Sequence, residues 1–280
     1  MLTSLFADYV GDSSIDNMKS TGNSYKLIAV DIDGTLRDES GDVRIYTKDV
    51  FIRCKKLGAV IVAATGRSRV SAMSYLHSLP MIEWLVSFQG SLITSVANDE
   101  VLWNKFLSQD EILLALDFLD SRNVQKVVYL GDRIYVEELT PWSDSYGERT
   151  GVEVLKVDNL REIKDNVYRI LAVGSDEDIE KLDIDMNKHF FGSLYVTRSL
   201  PHFCEVLSGD AGKEKALQWI CNSFGNGFND VEMLRWSGLG VAMVDGEIPA
   251  LEVADDLALN AGSDGVGRYL EGLLSRDLIG

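Results

Sequence analysis

The sequence of 280 residues is poor in cysteine and in basic residues, and it lacks a long apolar run. Its three cysteines, Cys54, Cys204 and Cys221, form no CxxC pair. Buried, reduced thiols are therefore favoured over a disulfide framework or a zinc site. The 27 basic against 44 acidic residues give a net charge of −17, which disfavours binding to nucleic acid or to an anionic membrane. No apolar run reaches the ~18 residues that a membrane span needs.

The N-terminal segment also lacks the features of a signal peptide. It has no basic region, and Asp8 interrupts its short apolar stretch. Its Ser, Asp, Asn and Gly content predicts a flexible leader over residues 1–24. Together with the reduced thiols, this favours a cytoplasmic protein, expected to be a monomer or homodimer. An anionic small-molecule partner requires a cation or a local basic group to receive it.

Apolar runs and helical spacings alternate in the first part of the chain. The predicted elements are a strand at 26–32, a helix at 44–57 that Gly58 ends, a strand at 59–64, a helix at 68–79 and a strand at 84–88. Strands that alternate with helices in this way are typical of a doubly wound parallel sheet. The predicted fold class is therefore α/β, with a Rossmann-like core.

The pattern changes after residue 90 and changes back after residue 202. Segments such as KVVYLG and SLYVTR alternate or are aromatic-rich, and helical stretches at 110–121 and 176–190 separate them. These features predict an inserted α+β domain at 91–202 with a largely antiparallel sheet. Residues 25–90 and 203–280 are then predicted to form the core.

Polar groups follow the predicted core strands, where ligands bind in an open α/β sheet. They are Asp31 and Asp33 in DIDGTL, Thr65 and Gly66 in ATGR, Lys213, and Asn226, Asn229 and Asp230 in GNGFND.

Two acids separated by a single residue repel each other, and a shared cation removes that repulsion. Clustered carboxylate oxygens select a hard cation such as Mg²⁺. Strand alternation predicts that Asp31 and Asp33 lie on the same side. One carboxylate can then attack phosphorus, and the other can transfer protons. Thr65 and Lys213 are suited to holding the transferring oxygens.

These motifs, in this order, resemble the four motifs of the haloacid dehalogenase (HAD) superfamily. The insert resembles the cap of its Cof-type (type IIB) phosphatases, in which the cap selects the substrate. VLSGDAGKEKAL, LGVAM and DGVGRYLEGL also follow that family's order. The resemblance covers nearly everything from Lys26 to Leu274. It implies a Mg²⁺-dependent phosphatase that hydrolyses a small phosphorylated metabolite, a sugar phosphate or similar compound.

Carried over position by position, the resemblance implies a role for each site residue. Asp31 is the nucleophile and a metal ligand. Asp33 is the general acid and base and binds Mg²⁺ through its carbonyl. Asp230 completes the metal site, with Asn226 beside it. The remaining residues act on the phosphoryl group: Thr65, Gly66 and Asn229 bind it, and Lys213 neutralises its charge.

The chain departs from the family pattern in two places. Asn226 stands where the fourth motif normally has an acid, so metal binding is expected to be weaker. Only residues 214–224 separate Lys213 from Gly225, too few for a helix of ~10 residues, a loop and a strand of ~5. Either the helix stops after about two turns or Asn222–Phe224 form a stub of strand.

Two alternatives to the phosphatase stay open, the first of them because of these departures. The first is a catalytically impaired relative that binds a phosphorylated ligand without turnover. The second is a phosphotransferase resembling the phosphomannomutases, which carry similar caps. The motifs do not distinguish water from a sugar hydroxyl as the phosphoryl acceptor.

Overall fold

A computed structural model of the chain describes residues 24–38, 41–220, 224–225 and 230–280. The predicted leader, apart from Ser24, lies outside these residues. The described residues divide into two compact units. Unit 1 holds those up to Val62 together with Ile220–Gly280, and unit 2 is Ala63–Trp219.

Unit 1 is built on parallel strands. Its elements are β1 (Leu27–Val30), α1 (Ile45–Lys56), the beginning of β2 (Val60–Ala64), β12 (Phe224–Gly225), α7 (Val231–Trp236), β13 (Val241–Met243), α8 (Ile248–Val253), β14 (Asp256–Ala258) and α9 (Gly265–Leu274). The strand order is β14-β13-β12-β1-β2. The pairings of β1 with β12, β12 with β13 and β13 with β14 are parallel. This arrangement agrees with the predicted α/β core.

The first predicted elements form close to the expected residues. In β1, Ile28, Ala29 and Val30 are buried, as the apolar run requires. Helix α1 ends at Lys56, and Gly58 follows with a φ of +95°. Glycine adopts this left-handed conformation without steric cost, so Gly58 ends the helix as predicted.

Unit 2 contains the rest of β2 and a second sheet. Its elements are α2 (Arg69–Leu76), β3 (Trp84–Ser87), β4 (Leu92–Ser95), β5 (Val101–Asn104), α3 (Gln109–Asp120), β6 (Gln125–Leu130), β7 (Arg133–Val136), α4 (Pro141–Thr150), β8 (Glu153–Lys156), β9 (Val167–Val173), α5 (Asp176–His189), β10 (Leu194–Leu200), β11 (Phe203–Ser208) and α6 (Lys213–Gln218). Strands β3, β4 and β5 are neighbours in that order, and the pairings of β3 with β4 and of β4 with β5 are antiparallel.

The second sheet has six strands in the order β10-β11-β9-β6-β7-β8. All its pairings are antiparallel except that of β7 with β8. One buried cluster joins residues of α3 and α5 to Val128, Ile170 and Val206 of its strands. A second cluster includes Val127, Tyr129, Leu171 and Phe203. Because adjacent strand residues point to opposite faces, both faces of this sheet are covered.

Strand β11 differs from its predicted place. The sequence predicted a return to the core from residue 203, but Phe203–Ser208 pairs antiparallel with β10 and with β9. It therefore belongs to the six-stranded sheet. In the other direction, β4 and β5 fall after residue 90 but pair in series with β3.

Two of the three cysteines lie in the described residues. Cys54 and Cys204 are buried free thiols, and burial raises the pKa of Cys54 to about 11. Cys221 lies outside the described residues. Among the helices of the described chain, none is long and apolar enough to cross a membrane.

Candidate active site

The DIDGTL segment folds as a tight turn after β1. The strand ends at Val30, and the amide of Leu36 donates to the carbonyls of Asp31 and Ile32, at 3.2 and 3.1 Å. Gly34 has a φ of +74°, which suits the reversal of the chain. The expectation that strand alternation sets the directions of Asp31 and Asp33 was wrong, because the strand ends before Asp31.

The two acids of this turn have different surroundings. Asp31 is only 5% exposed, whereas the side chain of Asp33 is 47% exposed and forms a 3.1 Å ion pair with Arg37. Arg37 also donates through Nε to the carbonyl of Gly41, at 3.2 Å. The buried acid lies against the strand end, and the exposed acid remains accessible for proton exchange.

The fourth motif follows β12, and the predicted shortage of chain is visible before it. Helix α6 has six residues and β12 has two, Phe224 and Gly225. The short helix agrees with the first of the two expectations. Of the predicted stub Asn222–Phe224, Phe224 lies in a strand, and Asn222 and Ser223 lie outside the described residues. Phe224 pairs in parallel with Val30, so the stub ends beside the end of β1. Asp230, at the start of α7, is 1% exposed.

The outcome for the proposed metal ligands differs between residues. Asp31 and Asp230 are buried carboxylates of unit 1 that follow neighbouring parallel strands. Asn226 and Asn229 lie outside the described residues. Within the described part of the chain, no group of three or more His, Cys, Asp or Glu side chains is placed to hold a metal ion. The donor set of carboxylate and backbone oxygens nevertheless fits the preference of Mg²⁺ for hard ligands.

Thr65 and Gly66 form a loop directly after β2, in unit 2. The Thr65 amide donates to the Val86 carbonyl at 2.8 Å, and the Thr65 hydroxyl accepts from the Arg67 amide at 3.1 Å. A Cβ on Gly66 would lie 2.3 Å from Nε2 of Gln89. Any larger residue at position 66 would therefore require the end of the buried Gln89 side chain to move.

Lys213 begins α6, also in unit 2, and is only 1% exposed. An ammonium group is rarely this buried unless it is partnered. The residues before it pack tightly: a Cβ on Gly90 would lie 2.2 Å from the carbonyl oxygen of Gly212. Gln89, which precedes Gly90 in the chain, contacts Gly66. The turn Phe88–Gly90, hereafter the 88–90 turn, therefore touches both the Thr65–Gly66 loop and the start of α6.

Sequence reasoning missed one group of polar residues near this loop. Arg169 and Glu205 form a buried ion pair at 2.6 Å, and Arg169 also donates to the Gly66 carbonyl at 2.8 Å. An arginine within the otherwise apolar strand VYRILAV was a usable signal, because a charged residue is seldom fully buried without a partner. Its partner was not predictable without the strand register.

Known proteins resemble this chain over most of its length. A family model described as haloacid dehalogenase-like hydrolase matches residues 28–270. YxeH of Bacillus subtilis (strain 168), provisionally named a phosphatase, is 27% identical over 275 residues, covering 89% of this chain and 98% of YxeH. YitU of the same organism, named a 5-amino-6-(5-phospho-D-ribitylamino)uracil phosphatase, is 26% identical over 263 residues, covering 88% and 96%.

The solved structures agree on the fold. The sugar phosphatase BT4131, of HAD subclass IIB, superposes with a TM-score of 0.75 at 20% identity, covering 89% of this chain and 98% of that one. This likeness confirms the predicted fold class. Since the family model spans most of the sequence, the chain belongs to the haloacid dehalogenase-like hydrolase family.

Proposed function

We propose that the chain is a Mg²⁺-dependent phosphatase that acts on a small phosphorylated metabolite through an aspartyl-phosphate. The observation that carries the proposal is the ordered motif set, from Asp31 to Asp230, within the family match to residues 28–270. The burial of Asp31, Lys213 and Asp230 supports it, because buried ionised groups are costly and are typical of functional sites.

In the first step, a carboxylate oxygen of Asp31 attacks phosphorus and the bond to the ester oxygen breaks. Asp33 gives its proton to the leaving oxygen. In the second step, Asp33 takes a proton from water as the water attacks phosphorus. The bond between phosphorus and Asp31 then breaks, inorganic phosphate leaves, and both acids return to their starting states.

The phosphoryl oxygens carry negative charge throughout and need fixed donors. We assign this role to the Thr65 hydroxyl, the backbone at Gly66, Asn229 and the Lys213 ammonium group. Asp31, Asp230 and the carbonyl of Asp33 would hold Mg²⁺, with Asn226 as a neutral fourth oxygen donor. When bound, the ion offsets the charge of the acids and polarises the phosphoryl group.

Release of inorganic phosphate from p-nitrophenyl phosphate in the presence of MgCl₂ tests this proposal. We expect Asp31→Asn to abolish turnover, because an amide cannot form the aspartyl-phosphate. Asp42→Asn, an exposed acid outside the motif, is the matched control and should keep full activity. Activity that survives in Asp31→Asn, or in the wild type after EDTA treatment, would refute the mechanism.

The substrate belongs to the same proposal. A sugar phosphate or a related compound is favoured by the subclass of BT4131, and the name of YitU adds a phosphorylated ribitylamino-uracil to the test panel. A metabolite panel run across a range of Mg²⁺ concentrations should show one class with the highest kcat/KM. Product analysis with a hexose phosphate separates hydrolysis from transfer to a sugar. A substrate-selecting role for the inserted domain, and a cytoplasmic location, remain predictions.

A ligand-binding relative without turnover is the second candidate. The six-residue helix α6 and the two-residue strand β12 favour it, since they shorten the path between Lys213 and the fourth motif. Thermal stabilisation by a phosphorylated ligand, without phosphate release, would support this candidate.

A further inference from the structure

The 88–90 turn has an unusual backbone. Phe88 and Gln89 have φ values of +48° and +51°, and Gly90 follows at +97°. Positive φ is uncommon outside glycine and persists only where the surroundings impose it. Both non-glycine residues are fully buried. Within unit 2, Phe88 stacks on Tyr168, and Gln89 hydrogen-bonds to Thr65 and Glu205.

A buried ion pair contacts this region. Arg169 on β9 and Glu205 on β11 are 4% and 1% exposed, and their side chains meet at 2.6 Å. The register pairs Glu205 with Leu171, so Arg169 and Glu205 are diagonal neighbours on one sheet face. A buried ion pair often adds little stability compared with apolar residues of similar size. A contribution to stability is therefore a weak explanation for the presence of this ion pair.

Each member of the pair makes a hydrogen bond outside the six-stranded sheet. Nη1 of Arg169 donates to the Gly66 carbonyl at 2.8 Å. Oε1 of Glu205 accepts from Nε2 of Gln89 at 3.2 Å. The backbone N–H of Gln89 in turn donates to the Thr65 carbonyl at 3.2 Å. The pair thus bonds to both sides of the contact between Gly66 and Gln89.

Aromatic rings fix the guanidinium group from the side. Cζ of Arg169 lies 4.0 Å from the ring centroid of Tyr129, which is opposite Arg169 in the register of β6 and β9. Phe88 offers a second ring at 5.7 Å. Burial alone would lower the pKa of Arg169, but the attraction of Glu205 outweighs it and the pKa is raised. The guanidinium group therefore stays charged and oriented.

We propose that Arg169 and Glu205 are positioning residues that hold the Thr65–Gly66 loop in the conformation that binds phosphate. They act through the Gly66 carbonyl and through Gln89. The phosphate-binding role of the loop rests on the proposed function, whereas the positioning of the loop does not. The six-stranded sheet therefore contributes to the geometry of a catalytic motif as well as to its own fold.

The test uses the full-length chain with both charges removed, Arg169→Met with Glu205→Met, so that neither charge is left buried alone. Ile170→Ala is the matched control. It truncates a buried residue next to Arg169 in sequence, within the other cluster of the six-stranded sheet. Gln89→Met, which keeps the ion pair but loses one bond to Glu205, is the second variant if the double variant does not fold.

Hydrogen exchange at residues 65–67 and 88–89 is the first measurement. We expect exchange there to be about tenfold faster in the double variant, because the loop has lost charge-assisted hydrogen bonds. Gln89→Met should show a smaller increase. In Ile170→Ala, exchange at these residues should match that of the wild type. Unchanged exchange in the double variant, or in Gln89→Met if that variant is used, would overturn the proposal.

Kinetics give the second measurement. The KM for p-nitrophenyl phosphate and the Ki for inorganic phosphate, both with Mg²⁺, should rise about tenfold in the double variant and stay unchanged in Ile170→Ala. If KM and Ki rise equally in the double variant and in Ile170→Ala, the ion pair contributes only to stability and the positioning role is rejected. A wild type without turnover would refute the proposed function, and the exchange result would then decide the positioning by itself.

Discussion

The two units hold their predicted site motifs in different ways. Asp31 and Asp33 of unit 1 lie in a turn after β1 that main-chain bonds and one partly exposed ion pair stabilise. Thr65, Gly66 and Lys213 of unit 2 are fixed by buried contacts through the 88–90 turn. A Cβ on Gly90 would meet the backbone of Gly212, and a Cβ on Gly66 would displace the Gln89 side chain.

The difference matches the chemical tasks that we assign to each set. A group that passes protons to and from water needs access to water, and the side chain of Asp33 is 47% exposed. Donors that stabilise a phosphoryl group act best when they are already oriented before the reaction. We therefore expect substitutions at Lys213 and in the 88–90 turn to lower activity or stability more than substitutions of the residues around Asp31 and Asp33.

Apart from the nucleophile itself, replacing the buried ammonium group should have the largest effect. Lys213→Met keeps an unbranched side chain one atom shorter but removes the positive charge, and we expect kcat to fall by about 10²–10³. Lys215→Met is the control on the same helix, because Lys215 is exposed and bonds only the Gly209 carbonyl in the described contacts, at 2.5 Å. Equal activity in the two variants, measured with p-nitrophenyl phosphate, would contradict the role of Lys213.

Gly90→Ala tests the packing of the 88–90 turn. Its φ of +97° is unfavourable for alanine, and the new Cβ would lie 2.2 Å from the Gly212 carbonyl oxygen. We expect the free energy of unfolding to drop by about 2–4 kcal/mol in urea denaturation. Gly131→Ala separates the cost of the positive φ from the cost of the steric clash. Gly131 has a φ of +57° but nothing within 4 Å of the new Cβ, so it should lose only about 1 kcal/mol.

Asn226→Asp restores the acid that the fourth motif of the family normally carries. The added charge should tighten Mg²⁺ binding by about tenfold, because ligand charge raises the affinity of oxygen sites for divalent cations. Activity titrated against MgCl₂ gives the apparent constant, and Asn260→Asp, an amide outside the motifs, controls for net charge. If neither Mg²⁺ affinity nor kcat rises, the missing acid is not what weakens this site.

Much of this organisation was predictable, and the exceptions have physical causes. Gly58 marks a helix end and the apolar runs mark β1 and β2, because burial and left-handed glycine leave local signals. The assignment of β11 to the second sheet depends on pairing with β9 and β10, which no local pattern encodes. The same holds for Arg169 and Glu205. They are 36 residues apart in the chain and meet only through the strand register.

The ion pair between Asp33 and Arg37 should give the smallest effect. Arg37→Ala removes a pair whose carboxylate is 47% exposed, together with the Nε hydrogen bond to the Gly41 carbonyl. Water already screens most of the ionic attraction. We expect the free energy of unfolding to change by less than about 1 kcal/mol. Arg44→Ala, which removes the pair of Arg44 with Asp38 at 3.0 Å, is the comparison and should behave alike. A loss from Arg37→Ala as large as that from Gly90→Ala would mean that the turn of unit 1 is held as rigidly as the loop of unit 2. The contrast between the two sets would then be wrong.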